Sequence, residues 1–333
     1  MRVNGLAVAF TIFTLFLCGS ACIAQETVKP QILLPSLPRS PIEVHRLSGN
    51  PIITPATDTS LGNNINGPTL IKVPKWVEKP LGKYYLYFAA HNGKSIRLAY
   101  SDLVAGPWKI YAPGVLPLGK SYFSDHIASP EAIVDEDTHQ IRLYYHGLTP
   151  EERTQHTRLA TSNNGLDFTA IEKPVGKSSA YWRLLKTNGW WIALSMPGRL
   201  WRSTDGITPF EMGPQLFPSS PTQVHNALLI RGDTLHIFYT RMGDKPERIL
   251  HSKVILDPDW TKWKPTEPEE LLASETIWEG ADLPVSAGKI GALEERIHAL
   301  RDPCIFVDGK KTYLLYAIAG ESGIAIAELR IKK

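Results

Sequence analysis

The sequence predicts an all-β fold: a five-bladed β-propeller of four-stranded antiparallel blades. Three observations predict it. A unit made of a short apolar strand, a tight turn and an aromatic-rich strand recurs along the chain, most clearly at residues 300–317. Strand-like runs follow one another every dozen residues or so, punctuated by 25 Gly and 26 Pro. No stretch of helical length carries apolar residues at a period near 3.6.

The 333 residues are 43% hydrophobic and 21% charged, enough apolar material for a substantial core without disulfide staples. A net charge of +3 with scattered Lys and Arg excludes a nucleic-acid partner. Residues 1–24 read as a secretory signal: Arg2, an apolar run over 6–17, then the small residues Gly19, Ser20, Ala21 and Ala24. The run is too short for a membrane span. The reading is a secreted or periplasmic protein, with a lipidated Cys22 as the weaker rival. Residues 25–41 are Pro-rich and read as an exposed leader. With three cysteines there is no disulfide framework or Cys-based metal site, and Cys304 reads as a buried structural thiol.

The propeller is expected over 42–333. Residues 42–47 alternate weakly, as one strand. Blade one takes Asn66-Gly67-Pro68 with residues 69–71, then 82–88, 95–102 and 107–111. Blade two opens at Ser129-Pro130, continues at 140–145 and 157–163, and ends near Asp167-Phe168. Blade three runs through 181–185, 189–194, 199–206 and Pro209-Phe210. Blade four runs through 225–230, 234–239, 248–252 and 260–264. Blade five has 300–309, 311–317 and 323–329, which is three strands, so residues 42–47 are expected to supply the fourth and close the ring.

Propeller geometry then locates a site. First strands line the central channel, and the loops between second and third strands share one face with the start of each first strand. That face should gather Asn66, Asp125, His126, Tyr181, Trp182, Arg183, His225, Arg301 and Asp302, with His91, His146, Arg241 and Glu321 from the second loops.

Gly49-Asn50-Pro51-Ile52-Ile53-Thr54-Pro55, Asn66-Gly67-Pro68, Ser129-Pro130 and Arg301-Asp302-Pro303 carry a resemblance. The chain resembles the five-bladed propeller glycosidases of glycoside hydrolase families 43, 32 and 117 and the family 130 phosphorylases. Asp125-His126-Ile127-Ala128-Ser129-Pro130 and Leu300-Arg301-Asp302-Pro303 also resemble a smaller bacterial group. In the large families a carboxylate commonly precedes proline in blades one and two; here Gly67 and Ser129 stand there, and only Asp302 keeps the pattern. Trp278-Glu279-Gly280 is similar to the family 43 general-acid signature, displaced to the connection between blades four and five.

The resemblance implies a glycoside hydrolase acting at the propeller mouth. Such chemistry needs a proton donor and a second carboxylate, held roughly 6.5–9.5 Å apart in inverting enzymes. The candidates are Asp302, Asp125 and Glu279, with Glu131 and Asp282 behind them, and His225 as a donor near neutral pH. Arg301 beside Asp302 is expected to depress its pKa, which suits a base or nucleophile. Asn66, His91, His126, His146, Tyr181, Arg183, Arg241 and Arg301 are the substrate-binding candidates, the arginines for an acidic or sulfated sugar. Each has a plain structural alternative: salt bridges between blades for the arginines, a solvated loop for Glu279, a strand-opening turn for Asp302. A lyase acting on uronates, with His225 or Tyr181 as base and Arg183 neutralising the carboxylate, is one alternative function. A glycan-binding propeller without catalysis is the other. No cofactor is expected beyond a divalent ion such as calcium in the central channel.

Overall fold

The computed structural model describes residues 37–218 and 222–331. The expected signal at 1–24, Cys22 and most of the leader lie outside them. No helix among the described residues is long and apolar enough to cross a membrane.

Five four-stranded antiparallel sheets form the propeller. Blade one is β2 (Asn66–Lys72), β3 (Tyr84–Ala89), β4 (Ser95–Ser101) and β5 (Lys109–Pro117). Blade two is β6 (Ala128–Asp135), β7 (Gln140–Leu148), β8 (Gln155–Ser162) and the two-residue β9 (Thr169–Ala170). Blade three is β10 (Ala180–Thr187), β11 (Trp190–Met196), β12 (Arg199–Ser203) and β13 (Glu211–Gln215). Blade four is β14 (Gln223–Arg231), β15 (Thr234–Arg241), β16 (Ile249–Ile255) and β17 (Glu269–Leu272). Blade five is β18 (Arg301–Asp308), β19 (Lys311–Ala317) and β20 (Ile324–Arg330), completed by β1 (Glu43–Arg46) at its outer edge. The strand expected from 42–47 thus closes the ring, with Val44 opposite Leu329.

Fourth strands depart most from expectation. Trp260–Lys262 is a single 3-10 turn whose Asp259 caps the Thr261 N–H, and the edge strand of blade four comes later, at β17. The end of the leader is not free either. Arg39 pairs with Glu270 at 3.0 Å, and Leu37 packs against the core between blades three and four.

The core lies between blades, where β-branched and aromatic faces meet. Tyr85, Tyr87, Phe88, Tyr144, Tyr145, Phe238 and Tyr316 are fully buried there. Cys304 is buried among them as a free thiol, and burial pushes its pKa up to about 11.

The first strands share one irregularity. Their register slips between Asn66 and Thr69, Ala128 and Glu131, Ala180 and Arg183, Gln223 and Asn226, and Arg301 and Cys304. In four of the five a residue inside the slip has positive φ: Gly67, Ser129, Tyr181 and Asp302. These are bulges, and a bulge re-aims the side chains around it. Glycine is favoured at position 67, because its φ is +59 and a Cβ would stand 3.1 Å from the Ser129 Cα.

Candidate active site

The bulges of blades two to five bring Ser129, Tyr181, His225 and Asp302 to one cavity. Asp302 is 4% exposed there, and its Oδ1 lies 3.2 Å from Nε2 of His225. His225 Nδ1 is 3.0 Å from Thr240 Oγ1 and 3.8 Å from Glu247 Oε1. Glu247 holds Arg301 at 3.1 Å, and Arg301 Nη1 donates to Glu321 at 2.5 Å. Glu321 accepts from Asn64 and Asn66 at 2.7 and 3.0 Å and stands 3.5 Å from His91 Nδ1. A continuous polar chain therefore runs Asp302–His225–Glu247–Arg301–Glu321–His91.

Rings complete the rim. His91 stacks near His126 at 6.5 Å, His126 meets His146 edge-on at 6.3 Å, His146 lies 4.6 Å from Tyr181, and Tyr181 lies edge-on to His225 at 5.0 Å. The Tyr181 N–H donates to His146 Nδ1. At the base, Ser129, Tyr181, Trp182, Arg183, His225, Asn226 and Asp302 line a cavity of about 10 Å³, close to the room one water molecule needs.

Burial sets the protonation states. It raises the Asp302 carboxyl to about 6 against the pull of Arg301, which corrects the expectation that Arg301 would win. It raises Glu247 to about 7, again against Arg301. His225 is held well below its ordinary value by burial and then by Arg301, so the imidazole is neutral. Burial also lowers His146, helped by His126, and lowers His126, helped by His91. Burial alone would raise Glu321, but the His91 hydrogen bond and the Arg301 charge keep it below the usual carboxylate range. A proton thus sits on Asp302 up to about pH 6, beside an imidazole that stays neutral.

Several expected roles change. Arg301 is fully buried, and its other donors reach the carbonyls of Lys289 and Gly291, so it organises the site from behind and meets no substrate. Arg183 lies on the propeller axis. It donates to the carbonyls of Pro68, Pro130 and Asn226, from blades one, two and four, and pairs with Glu131 at 2.7 Å. A guanidinium there does not fit a calcium ion in the channel, and among the described residues no group of three His, Cys, Asp or Glu could hold a metal ion. Arg241 pairs with the buried Asp244 at 2.7 Å. All three arginines expected to receive an acidic sugar are thus tied to internal carboxylates, and the lyase reading loses its neutralising group. Asn66 supports Glu321 from a buried position.

Glu279 does not join the mouth. It is fully buried and accepts from Arg46, from the Tyr316 hydroxyl and from the Glu275 and Thr276 N–H groups. It anchors β1 to the fifth blade, and the resemblance of Trp278-Glu279-Gly280 to a general-acid signature is one of letters only. Asp125 is an exposed rim residue 3.9 Å from His126. Glu247 was missed. Its signal was its place in the loop between the second and third strands of blade four, on the face that the propeller geometry singled out.

Solved structures share the fold. No protein-family model matches the chain. It is 34% identical, over 98% of its length and 97% of the other's, to "Uncharacterized protein R118" of Acanthamoeba polyphaga mimivirus. Among solved structures, it is similar to CoXyl43, a GH43 β-xylosidase/α-arabinofuranosidase from a compost microbial metagenome, with a TM-score of 0.60 at 11% identity, covering 87% of this chain and 96% of that one. It is also similar to the GH43_1 enzyme of Xanthomonas citri complexed with xylotriose, with a TM-score of 0.59 at 12% identity, covering 81% and 88%.

Proposed function

The chain belongs to the same family as the mimivirus protein and has the five-bladed fold of the family 43 glycoside hydrolases, and from that premise we propose that it is a glycosidase whose acid–base group is the Asp302–His225 pair. The observation that carries this reading is a buried carboxyl, raised to about 6, set 3.2 Å from a neutral imidazole at the mouth of the channel. Perturbed carboxyls of this kind are what general acid catalysis near neutral pH requires. Asp302 gives its proton to the leaving oxygen while His225 Nε2–H stabilises the carboxylate left behind; water adds to the anomeric carbon in place of the leaving group, and the proton that water loses returns to the Asp302 carboxylate. Glu247 and Thr240 hold the other face of the imidazole and fix its orientation. His91, His126, His146 and Tyr181 form the wall against which a sugar ring rests. The expected signal at 1–24 supports action outside the cytoplasm.

The test is release of product from a panel of aryl glycosides and short oligosaccharides. Asp302→Asn and His225→Asn should each lower kcat about a hundredfold or more. Full activity in both would overturn the assignment. The lack of an acid at Gly67 and Ser129 favours one second reading, a glycan-binding propeller. Oligosaccharide binding by the native chain with no bond cleaved would establish it.

A further inference from the structure

A cleft of about 1130 Å³ opens at the outer side of blade two, facing blade one, and Lys120, Tyr122, Phe123, Glu151, Arg158 and Glu172 contribute to its walls. Arg158 reaches it from β8. The residue is 6% exposed, and its Nε and Nη1 have no hydrogen-bond partner among the described residues. Its guanidinium lies 5.0 Å from the ring centre of Phe123 and 5.7 Å from that of Tyr122. Glu151 and Glu172 act on it only at longer range, and no ion pair within 4.0 Å joins either to Arg158 among the described residues. Buried cations are ordinarily paired, because desolvating an unpaired charge costs several kcal/mol. Every other buried arginine discussed above has a carboxylate partner. Arg158 has aromatic faces and an opening.

Tyr122 supplies the second feature. It is 48% exposed on the cleft and is held at φ +58, a backbone region that a bulky side chain seldom adopts. A half-exposed aromatic ring beside a cation offers a sugar an apolar face and its anionic substituent a charge. The cleft has room for a short oligosaccharide. The cleft is separate from the mouth. No residue lines both the cleft and the cavity at the base of the mouth, and Arg158 follows Gln155, which is 3.2 Å from His126, by three positions of β8.

We propose that this cleft is a second carbohydrate-binding site, one that takes an acidic oligosaccharide with its carboxylate or sulfate ester on Arg158 and a sugar ring on Tyr122. The site stands on its own residues and does not depend on what the mouth cleaves.

The experiment is calorimetric titration of the full chain with tri-galacturonate, a chondroitin sulfate hexasaccharide, xylotriose and inorganic sulfate, repeated with Arg158→Gln and Tyr122→Ala. One of the two acidic oligosaccharides should bind, the successful arm identifying the anion as carboxylate or sulfate ester. Both substitutions should weaken that binding about tenfold or more. Tyr122 is exposed, so its variant tests the site even if Arg158→Gln fails to fold. Hydrolysis of aryl glycosides by Tyr122→Ala should equal that of the native chain, which separates this site from the mouth. The proposal is overturned if neither acidic oligosaccharide binds, if Tyr122→Ala binds it as the native chain does, or if only inorganic sulfate binds.

Discussion

Asp302→Asn should make the protein more stable at pH 8 while removing its activity. Asn has the same shape and tolerates the φ of +48 that position 302 requires. It keeps an oxygen to accept from His225 Nε2. What it removes is a buried negative charge. Raising a carboxyl from its ordinary 3.8 to about 6 means that ionising it costs the folded state about 3 kcal/mol. Between those two pH values the folded chain keeps a proton that the unfolded chain gives up. The stabilisation is therefore fully present below pH 3.8 and lost as pH rises through about 6. At pH 8 the native protein bears the whole cost and the Asn variant bears none. Urea unfolding should put the variant about 3 kcal/mol above the native chain at pH 8, with the gap closing towards pH 4. A variant less stable than the native chain at pH 8 would refute the reasoning. It would mean that the attraction of Arg301 for the Asp302 carboxylate outweighs burial.

Four further outcomes follow from the same contacts. Product formation on an aryl glycoside should fall as pH rises above about 6, because the donor is then ionised; a flat profile from pH 5 to 8 would exclude Asp302 as the acid. Glu279→Gln should cost about 3 kcal/mol or more of stability, since Arg46 and Tyr316 lose a buried carboxylate, yet leave kcat per folded molecule unchanged. Arg301→Met should cost about 3–5 kcal/mol in a melting or urea experiment, because Glu247 and Glu321 stay buried without their cation. Gly67→Ala should cost about 1–2 kcal/mol from its left-handed backbone, and more if blade two cannot move away from the new Cβ.

The site was legible only where backbone position alone decides function. Asp302, His225, Tyr181 and the histidines of the second loops could be assigned to one face because propeller strands alternate direction and return to the same end. What a side chain touches on that face could not be assigned. Arg301 follows Leu300 and precedes Asp302, so its charge was taken to act on its neighbour in sequence. In the fold its guanidinium turns away to Glu247 and Glu321, residues 54 and 20 positions distant. Simple alternation along β6 would turn Glu131 away from the channel, but the bulge between Ala128 and Glu131 shifts the pattern, and Glu131 meets Arg183. Glu279 shared letters with a catalytic motif, and only its partners identified it as the anchor of the closing strand.

The sequence by itself determined the number of blades, the closing role of residues 42–47 and the face on which chemistry would lie. Those follow from period-two patterning and turn residues, which are local properties of the chain. Only the tertiary structure decided the state of the charges. Burial and pairing depend on groups brought together from different blades, and they turned Asp302 from an expected base into a carboxyl that holds its proton to about pH 6. The same long-range pairing removed three arginines from substrate binding and left Arg158 facing an open cleft.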